Sequence, residues 1–140
     1  PLNWKMMPLV DDKTPIKDIE YLRLWGKKMV VPTSTRPAGS LWFTDIRENY
    51  TQTKKSDGII WAKTGYTAKK AGSGVLNVGA DGPFKIFVNR KEVYCNAKAT
   101  NPASDHMVKV TVTWKQGANE IAIAQRTNKG KAWGFFVQAN

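Results

Sequence analysis

Apolar and polar residues alternate with a period of two over much of the chain after Gly58, and this pattern limits the possible folds more than any other feature. In the run 108–114, every second residue is apolar, from Val108 to Trp114. Because successive side chains of a strand point to opposite faces of a sheet, the run predicts a half-buried β-strand. The same alternation predicts strands at 60–66, 75–80, 84–88, 120–125 and 132–139.

Two tight reversals are predicted between these strands. Asn89 and Arg90 separate the apolar run 84–88 from the run that ends at Cys95, which is typical of a β-hairpin. The stretch KQGAN at 115–119 contains a glycine and directly precedes another alternating run, so it predicts a second hairpin. Many short strands at intervals of about ten residues favour an antiparallel β-sandwich or barrel.

The first part of the chain, 1–57, has no regular period. Prolines interrupt it, and each proline removes a hydrogen-bond donor and restricts the residue before it. We expect extended pieces at 19–24 and 41–46, while the run 16–25 comes nearest to a helical pattern and its assignment stays open. A chain of 140 residues has the size of one domain. We therefore predict a single β-sandwich domain over 1–140, loop-rich over 1–57 and regular over 58–140.

The net charge is +11, from 22 basic and 11 acidic side chains. Such a charge attracts polyanions. The basic residues are dispersed in pairs, such as Lys27–Lys28 and Lys69–Lys70, which is typical of a solvated surface and makes nucleic acid a disfavoured partner. Apolar runs such as Met29–Val31 are too short to span a membrane. Because the chain begins at Pro1 without a leader, we interpret it as part of a longer or processed protein.

Few residues support catalysis or metal binding. The single Cys95 is expected to be a buried small side chain, and His106 has no second histidine with which to form a zinc site. Glycoside hydrolysis requires two carboxylates held about 5 to 9.5 Å apart, and Asp45 with Glu48 is the only close pair in a loop suited to binding. We therefore predict no enzyme activity and no cofactor, with the oxygen-rich loop 100–105 as a candidate for structural calcium.

Aromatic residues are numerous for a chain of this size: six Trp, four Tyr and five Phe. The flat C–H face of a sugar ring packs against an aromatic ring, while neighbouring polar side chains bond its hydroxyls. Two stretches, 40–50 and 126–133, combine both kinds of residue. They supply the predicted ligand-binding residues Trp42, Arg47, Tyr50, Asn128, Lys129 and Trp133.

Burial in the core is the competing interpretation for each tryptophan. Trp42 and Trp133 lie close to apolar strand residues in the sequence, so a core position and an exposed platform both remain open for them. Trp61 and Trp114 lie within regular alternation and are predicted to be buried.

Taken in order, the motifs from about residue 58 to 140 resemble the galactose-binding-domain-like jelly roll, a fold of carbohydrate-binding modules and of the sugar-binding domain of family-two glycoside hydrolases. The run FKIFVNRK at 84–91 is similar to the hairpin pattern apolar-x-apolar-x-Val-Asn-Gly-Lys of that family. The run WKQGANEIAI at 114–123 is similar to a later pattern, Leu-x-x-Gly-x-Asn-x-Ile. Arg90 replaces the usual glycine, and since Arg adopts positive φ only at a cost, we expect a turn that differs from the usual primed type.

The resemblance implies a jelly-roll β-sandwich that serves as a non-catalytic carbohydrate-binding module. It further implies a larger, secreted polysaccharide-degrading protein in which the module is attached to a catalytic domain. The ligand would be a polysaccharide or oligosaccharide, and the charge of +11 favours an acidic one. A structural or protein-interaction domain without sugar binding remains the alternative, because the same sandwich also occurs beside catalytic domains without contacting sugar.

Overall fold

The computed structural model describes residues 2–21, 31–38, 41–98 and 108–139. Within these ranges, ten strands form two five-stranded sheets. The strands are β1 Lys5–Met6, β2 Ser34–Ala38, β3 Leu41–Asp45, β4 Ile59–Ala68, β5 Gly72–Ala80, β6 Phe84–Val88, β7 Lys91–Asn96, β8 Val108–Trp114, β9 Gly117–Arg126 and β10 Gly134–Ala139. The described helical elements are an α-helix, α1 Arg47–Thr53, and two 3₁₀ turns, Ile16–Asp18 and Asn128–Gly130.

The strand pairing is that of a jelly roll. The first sheet has the order β1-β4-β9-β6-β7 and the second the order β2-β3-β10-β5-β8, with every neighbouring pair antiparallel. The pairs β6·β7, β5·β8, β4·β9 and β3·β10 are nested and lie alternately in the two sheets. This arrangement confirms the predicted all-β antiparallel sandwich.

The prediction of a second hairpin at 115–119 is wrong. β8 lies in the second sheet and β9 in the first, so the chain crosses from one layer to the other at this point. Gly117, at φ 90°, and the buried Asn119 shape the crossing. The Asn119 carboxamide accepts a hydrogen bond from the Lys115 N–H at 2.9 Å and donates one to the Lys115 carbonyl at 2.9 Å. A glycine-containing turn between alternating runs is therefore compatible with a change of sheet as well as with a hairpin.

The main core lies between the two sheets and follows the predicted alternation. Along β8, Val110, Val112 and Trp114 are buried while the residues between them are exposed. The corresponding residues of β6, Phe84, Ile86 and Val88, belong to the same apolar cluster. The burial predicted for Trp114 is thus confirmed.

A second apolar cluster covers the outer face of the first sheet. Trp61 and Phe87 stack there with ring centroids 5.6 Å apart, beneath Ile16 and Ile19 of the N-terminal segment. The predicted burial of Trp61 is confirmed, although it lies outside the space between the sheets. Burying a large apolar side chain contributes about 1.5–3 kcal/mol, so this cluster helps to hold the segment to the sheet.

Lys85 lies in the same outer layer and is 2% exposed. Its ammonium donates to the carbonyls of Lys17 and Ile19, at 2.8 and 2.9 Å, and pairs with the Glu92 carboxylate at 2.8 Å. A buried ammonium is tolerated only when its donors are satisfied, and three acceptors satisfy it here. Lys85 therefore fastens the N-terminal segment to the first sheet.

The hairpin between β6 and β7 has a two-residue loop, because Val88 pairs with Lys91. Asn89 and Arg90 have φ of 50° and 70°. Positive φ at both central residues defines the primed type I′ turn, so the expectation of a different turn type at Arg90 is wrong. The arginine adopts the left-handed conformation despite its cost.

Asn89 also joins the two motifs that carried the family resemblance. Its carboxamide donates to the Asn119 oxygen at 2.9 Å and accepts the Glu120 N–H at 2.9 Å. The asparagines of the VNRK and QGANEI runs are therefore in direct contact. The spacing of these motifs reflects a hydrogen-bonded structural contact between β-turns.

Several other predictions concern the less regular parts. Leu41–Asp45 is a strand as expected, whereas the helix α1 that follows it was not predicted. Cys95 is half-buried and packs against the outer cluster of the first sheet. His106, residues 22–24 and the calcium candidate 100–105 lie outside the described residues.

In the described part of the chain, none of the helices is long and apolar enough to cross a membrane. Over the same residues, no group of three or more His, Cys, Asp or Glu side chains is placed to hold a metal ion.

Candidate functional site

Trp133 is a large apolar side chain presented to solvent by a firmly held backbone. The indole-bearing residue is 55% exposed and lies in the connection between β9 and β10. Its N–H donates to the carboxylate of Asp81 at 2.8 Å, and its carbonyl accepts the N–H of Ile46 at 2.8 Å. These two hydrogen bonds fix the backbone of Trp133, so the position of the ring on the surface does not depend on burial of the side chain.

The connection that carries Trp133 is anchored at Thr127, which is fully buried. The Thr127 hydroxyl donates to the Ser56 carbonyl at 2.7 Å and accepts the Gly58 N–H at 3.0 Å. The Tyr50 hydroxyl donates to the Ala132 carbonyl at 2.9 Å. Burial raises the pKa of Tyr50, so its hydroxyl stays protonated and serves to brace the loop from below.

Arg47 packs its guanidinium over the indole of Trp133, with Cζ 4.3 Å from the ring centroid. This is a cation–π contact with a ring that belongs to a 55% exposed residue. The same guanidinium is oriented by Asp45, with Nε 3.0 and 3.1 Å from the two carboxylate oxygens. Arg47 therefore buttresses the ring and keeps its remaining N–H donors near the platform edge.

Asp45 is the electrostatic centre of this arrangement. Burial alone would raise its pKa, but hydrogen bonds from the Arg47 side chain, the Arg47 N–H and Arg36 lower it to about 2. The Arg47 N–H lies 2.8 Å from Oδ1, and Arg36 donates to Oδ2 at 2.9 Å. The carboxylate thus accepts the N–H of the first residue of α1 and holds two arginines at once.

Asn128 and Lys129 form an unusual turn in the connection between β9 and β10 that also carries Trp133. Their φ angles are 50° and 57°, in the left-handed region, which costs roughly 1–2 kcal/mol for each residue other than glycine. Among the residues that the structure describes, the Asn128 carboxamide has no hydrogen-bond partner. Strain of this kind, held by a rigid surrounding, is typical of sites where polar groups are positioned for a ligand.

Asp81 was not identified from the sequence, although it fixes the platform. It is buried, and it accepts N–H donors from Trp133, Gly134 and the Gln125 side chain at 2.8–3.2 Å. Burial raises its pKa, against the effect of these hydrogen bonds. The sequence Ala-Asp-Gly-Pro at the end of a strand is a signal of a tight turn, and it could have drawn attention to Asp81. The structure shows why the turn needs Gly82: a Cβ there would lie 2.5 Å from the Arg126 carbonyl oxygen.

The structure brings together five of the six predicted site residues and separates Trp42 from them. Asp45 and Gly134 pair at the end of the sandwich that carries the platform, whereas Trp42 lies near the start of β3, toward the opposite end. There it is 38% exposed and lines a cleft of about 280 Å³. The other lining residues are Leu2, Tyr66, Val137, Gln138 and Ala139.

No protein-family model matches the chain, and no curated protein matches its sequence. Among solved structures, a β-glucosidase from Kluyveromyces marxianus in complex with glucose matches with a TM-score of 0.54 and 11% identity, covering 98% of this chain and 16% of the β-glucosidase. A family 35 carbohydrate-binding module from Clostridium thermocellum matches with a TM-score of 0.44 and 14% identity, over 76% of this chain and 84% of the module.

The PA14 domain of the antifreeze protein MpAFP also matches, with a TM-score of 0.47, 13% identity and coverage of 99% of this chain and 79% of that domain. This chain spans only a small part of the β-glucosidase, and at such identities the similarity extends to the fold alone. At that level the predicted fold is confirmed: the chain is an antiparallel β-sandwich of two sheets.

Proposed function

We propose that this chain is a non-catalytic carbohydrate-binding module that holds a glycan against the exposed face of Trp133. The observation that carries the proposal is a 55% exposed tryptophan on a backbone fixed by Asp81 and Ile46. Full burial of such a side chain would contribute stability, and its exposure on a backbone fixed from both sides supports a role in contacting a ligand. A sugar ring offers the apolar face that an indole accepts.

The neighbouring residues supply polar groups at the edge of the ring. Arg47 is oriented by Asp45, and Asn128 and Lys129 stand in a strained turn of the same connection that carries Trp133. These side chains offer donors and, at Asn128, an acceptor for sugar hydroxyls. Because the backbone of the platform is already ordered, binding loses little conformational entropy. Tyr50 contributes from below by bracing the loop.

The direct test is affinity electrophoresis of Trp133→Ala against a panel of polysaccharides, with Trp133→Phe as the matched variant that keeps an aromatic face. We expect the alanine variant to lose at least roughly tenfold in affinity and the phenylalanine variant to lose less. Both should retain the wild-type far-ultraviolet circular dichroism. Retardation of wild type and Trp133→Ala to the same extent on every polysaccharide of the panel would contradict the proposal.

The alternative function is a structural or protein-interaction domain, which the same exposed tryptophan also favours because Trp is enriched at protein interfaces. Absence of retardation of the wild-type chain on every glycan of the panel would support this alternative. The two functions are therefore separated by one measurement on the unmodified protein.

We extend the proposal to the context of the module: a larger, secreted polysaccharide-degrading protein with an attached catalytic domain. The charge of +11, with Lys129 and Lys131 near the platform, supports an acidic polysaccharide as ligand. Exposed charges are screened over about 8 Å at physiological ionic strength, so binding of an acidic glycan should weaken as sodium chloride is raised. Tight binding to a neutral glucan or xylan that does not change with salt, without binding to pectin or alginate, would contradict the acidic ligand.

A further inference from the structure

The cleft around Trp42 lies at the end of the sandwich opposite the Trp133 platform. Trp42 precedes Asp45 by three positions in β3, which is roughly 10 Å along a strand. Val137 and Ala139 line the cleft from the end of β10, whereas Trp133 precedes the start of that strand. A single sugar ring in this cleft would not contact the Trp133 platform.

Trp42 occupies a strand position whose neighbours belong to the core. Thr44, two residues along β3, pairs with Phe135 of the main core, so the alternation directs Trp42 to the same inner face. Core positions of this kind are normally covered. Trp42 nevertheless remains 38% exposed, because the two sheets leave an open cleft beside it.

Two aromatic residues from opposite sheets form walls of the cleft. Tyr66 belongs to β4 of the first sheet and is held against Trp114, with ring centroids 4.6 Å apart. Trp42 belongs to β3 of the second sheet. Val137 and Ala139 add aliphatic surface from the same inner face, and the hydroxyl of Tyr66 is a polar group that can both donate and accept.

This lining matches one ring of a neutral sugar. Ligand sites are mostly apolar, with a few polar groups that fix orientation. A volume of about 280 Å³ is near the lower limit of the roughly 300–1,000 Å³ typical of ligand pockets, so the cleft has room for a single ring. The residues that line the cleft carry no charge, which distinguishes it from the platform flanked by Arg47 and Lys129.

We infer that the Trp42 cleft is a second carbohydrate site, specific for an uncharged sugar ring and independent of the Trp133 platform. The inference rests on the proposed function and adds to it that the domain binds two glycan segments at its opposite ends. A module with two such sites joins separate polysaccharide chains.

The test uses the full chain and titrates it with glucose, cellohexaose and xylohexaose as neutral probes and with oligogalacturonate as an acidic probe. The indole N–H resonances of Trp42 and Trp133 are assigned by nuclear magnetic resonance from the variants Trp42→Phe and Trp133→Phe. We expect a neutral probe to shift the Trp42 resonance in wild type and in Trp133→Ala alike, with an affinity that does not change between low and half-molar sodium chloride.

A second variant is needed because replacing Trp42 could reduce binding by disturbing the local fold. Tyr66→Phe keeps both aromatic walls and removes the hydroxyl, and it should weaken the neutral probe at the Trp42 cleft by roughly fivefold, leaving the response of Trp133 unchanged. Wild type should also make a mixture of a neutral polymer and pectin more turbid than Trp42→Phe or Tyr66→Phe does, since joining the two polymers needs both sites.

Shifts at Trp133 alone, with Trp42 unmoved by every probe, would overturn the second site and leave the proposed function intact. Loss of all binding in Trp133→Ala would do the same, because it would mean that one site serves all probes. Absence of a shift at either indole would overturn the proposed function and the second site together.

Discussion

Two turns of this protein have almost the same backbone and different surroundings. Asn89–Arg90 and Asn128–Lys129 each place an asparagine and a basic residue at positive φ. The carboxamide of Asn89 is bonded to Asn119 and to the Glu120 N–H. That of Asn128 has no such partner within the described part of the chain.

The difference indicates what each turn is for. In the first turn, hydrogen bonds inside the fold offset the cost of the left-handed conformation, and the turn joins two loops of the sandwich. In the second, the conformation is imposed by its flanks, the buried Thr127 and the fixed backbone of Trp133. A strained polar turn whose side chains are not used by the fold is available to a ligand.

The largest effect on the free energy of unfolding is expected when the asparagine of each turn, Asn89 or Asn128, is replaced by alanine. Asn89→Ala should lower the free energy of unfolding by about 2–3 kcal/mol, since it leaves the Glu120 N–H and the Asn119 oxygen without their partner. Asn128→Ala should cost about 1 kcal/mol or less, the difference between asparagine and alanine at positive φ. Urea unfolding of both variants measures the comparison. Equal losses would mean that the two turns do not differ as described.

Low pH should destabilise the end of the sandwich that carries Trp133, where Asp45 titrates, and should not affect the contribution of the Asn89 turn to stability. The pKa of Asp45 is lowered from 3.8 to about 2 in the folded protein, so its stabilising contribution is complete above about pH 4 and is lost as the pH falls through 2. The shift corresponds to about 2 kcal/mol. Wild type should lose this amount between pH 4 and 2, whereas Asp45→Asn, measured by urea unfolding at each pH, should lack this component.

The Asn89→Ala variant is the control for this pH experiment. Its hydrogen bonds involve carboxamides and backbone groups, which do not titrate in this range. Its unfolding free energy should therefore be lower than that of wild type by the same amount at pH 7 and at pH 3. If Asn89→Ala lowered the free energy of unfolding at only one of the two pH values, the stability of the Asn89 turn would depend on the ionisation of Asp45.

A smaller gain is expected from Arg90→Gly. The turn is type I′, for which Asn-Gly is the favoured pair, so glycine removes the cost of positive φ at this position. We expect the free energy of unfolding to rise by about 1 kcal/mol, with glycan binding unchanged. Destabilisation by Arg90→Gly would indicate that the arginine side chain has a structural role, for example through its position 5.8 Å from the Tyr21 ring.

The smallest expected effect is on ligand affinity in Lys129→Gly. Relief of the strained conformation should leave stability equal or slightly higher, while the loss of the ammonium should weaken glycan binding by roughly threefold. Isothermal titration calorimetry and urea unfolding on the same variant separate the two results. If Lys129→Gly were more stable than wild type and bound glycan with unchanged affinity, Lys129 would not be part of the ligand site.

The regular strands could be predicted because the alternation of apolar and polar residues follows directly from the burial of one face of each strand. Val110, Val112 and Trp114 were placed on one face from their spacing alone, and that face is buried. Both faces of β6 are buried, however, with Lys85 and Phe87 in the outer layer. Local spacing could not predict this, because the covering residues come from the distant N-terminal segment.

The candidate site was harder to predict for the same reason. Trp42 and Arg47 are close in sequence, and the intervening strand carries them to different ends of the sandwich. The helix that begins at Arg47 spans seven residues, too few to display a helical period. Trp133 was identified by its polar neighbours, but its exposure depends on Asp81, which is bonded to it across 52 positions of the chain.

The nested strand pairs also bear on how the chain reaches its fold. β6·β7 closes a two-residue loop, while β5·β8, β4·β9 and β3·β10 enclose progressively longer stretches. The entropy cost of closing a loop rises with its length, and each inner pair shortens the effective loop left for the next. We expect folding to start at the Asn89 hairpin and proceed outward, which would bring β3 and β10, and with them the Trp133 platform and the Trp42 cleft, into place last.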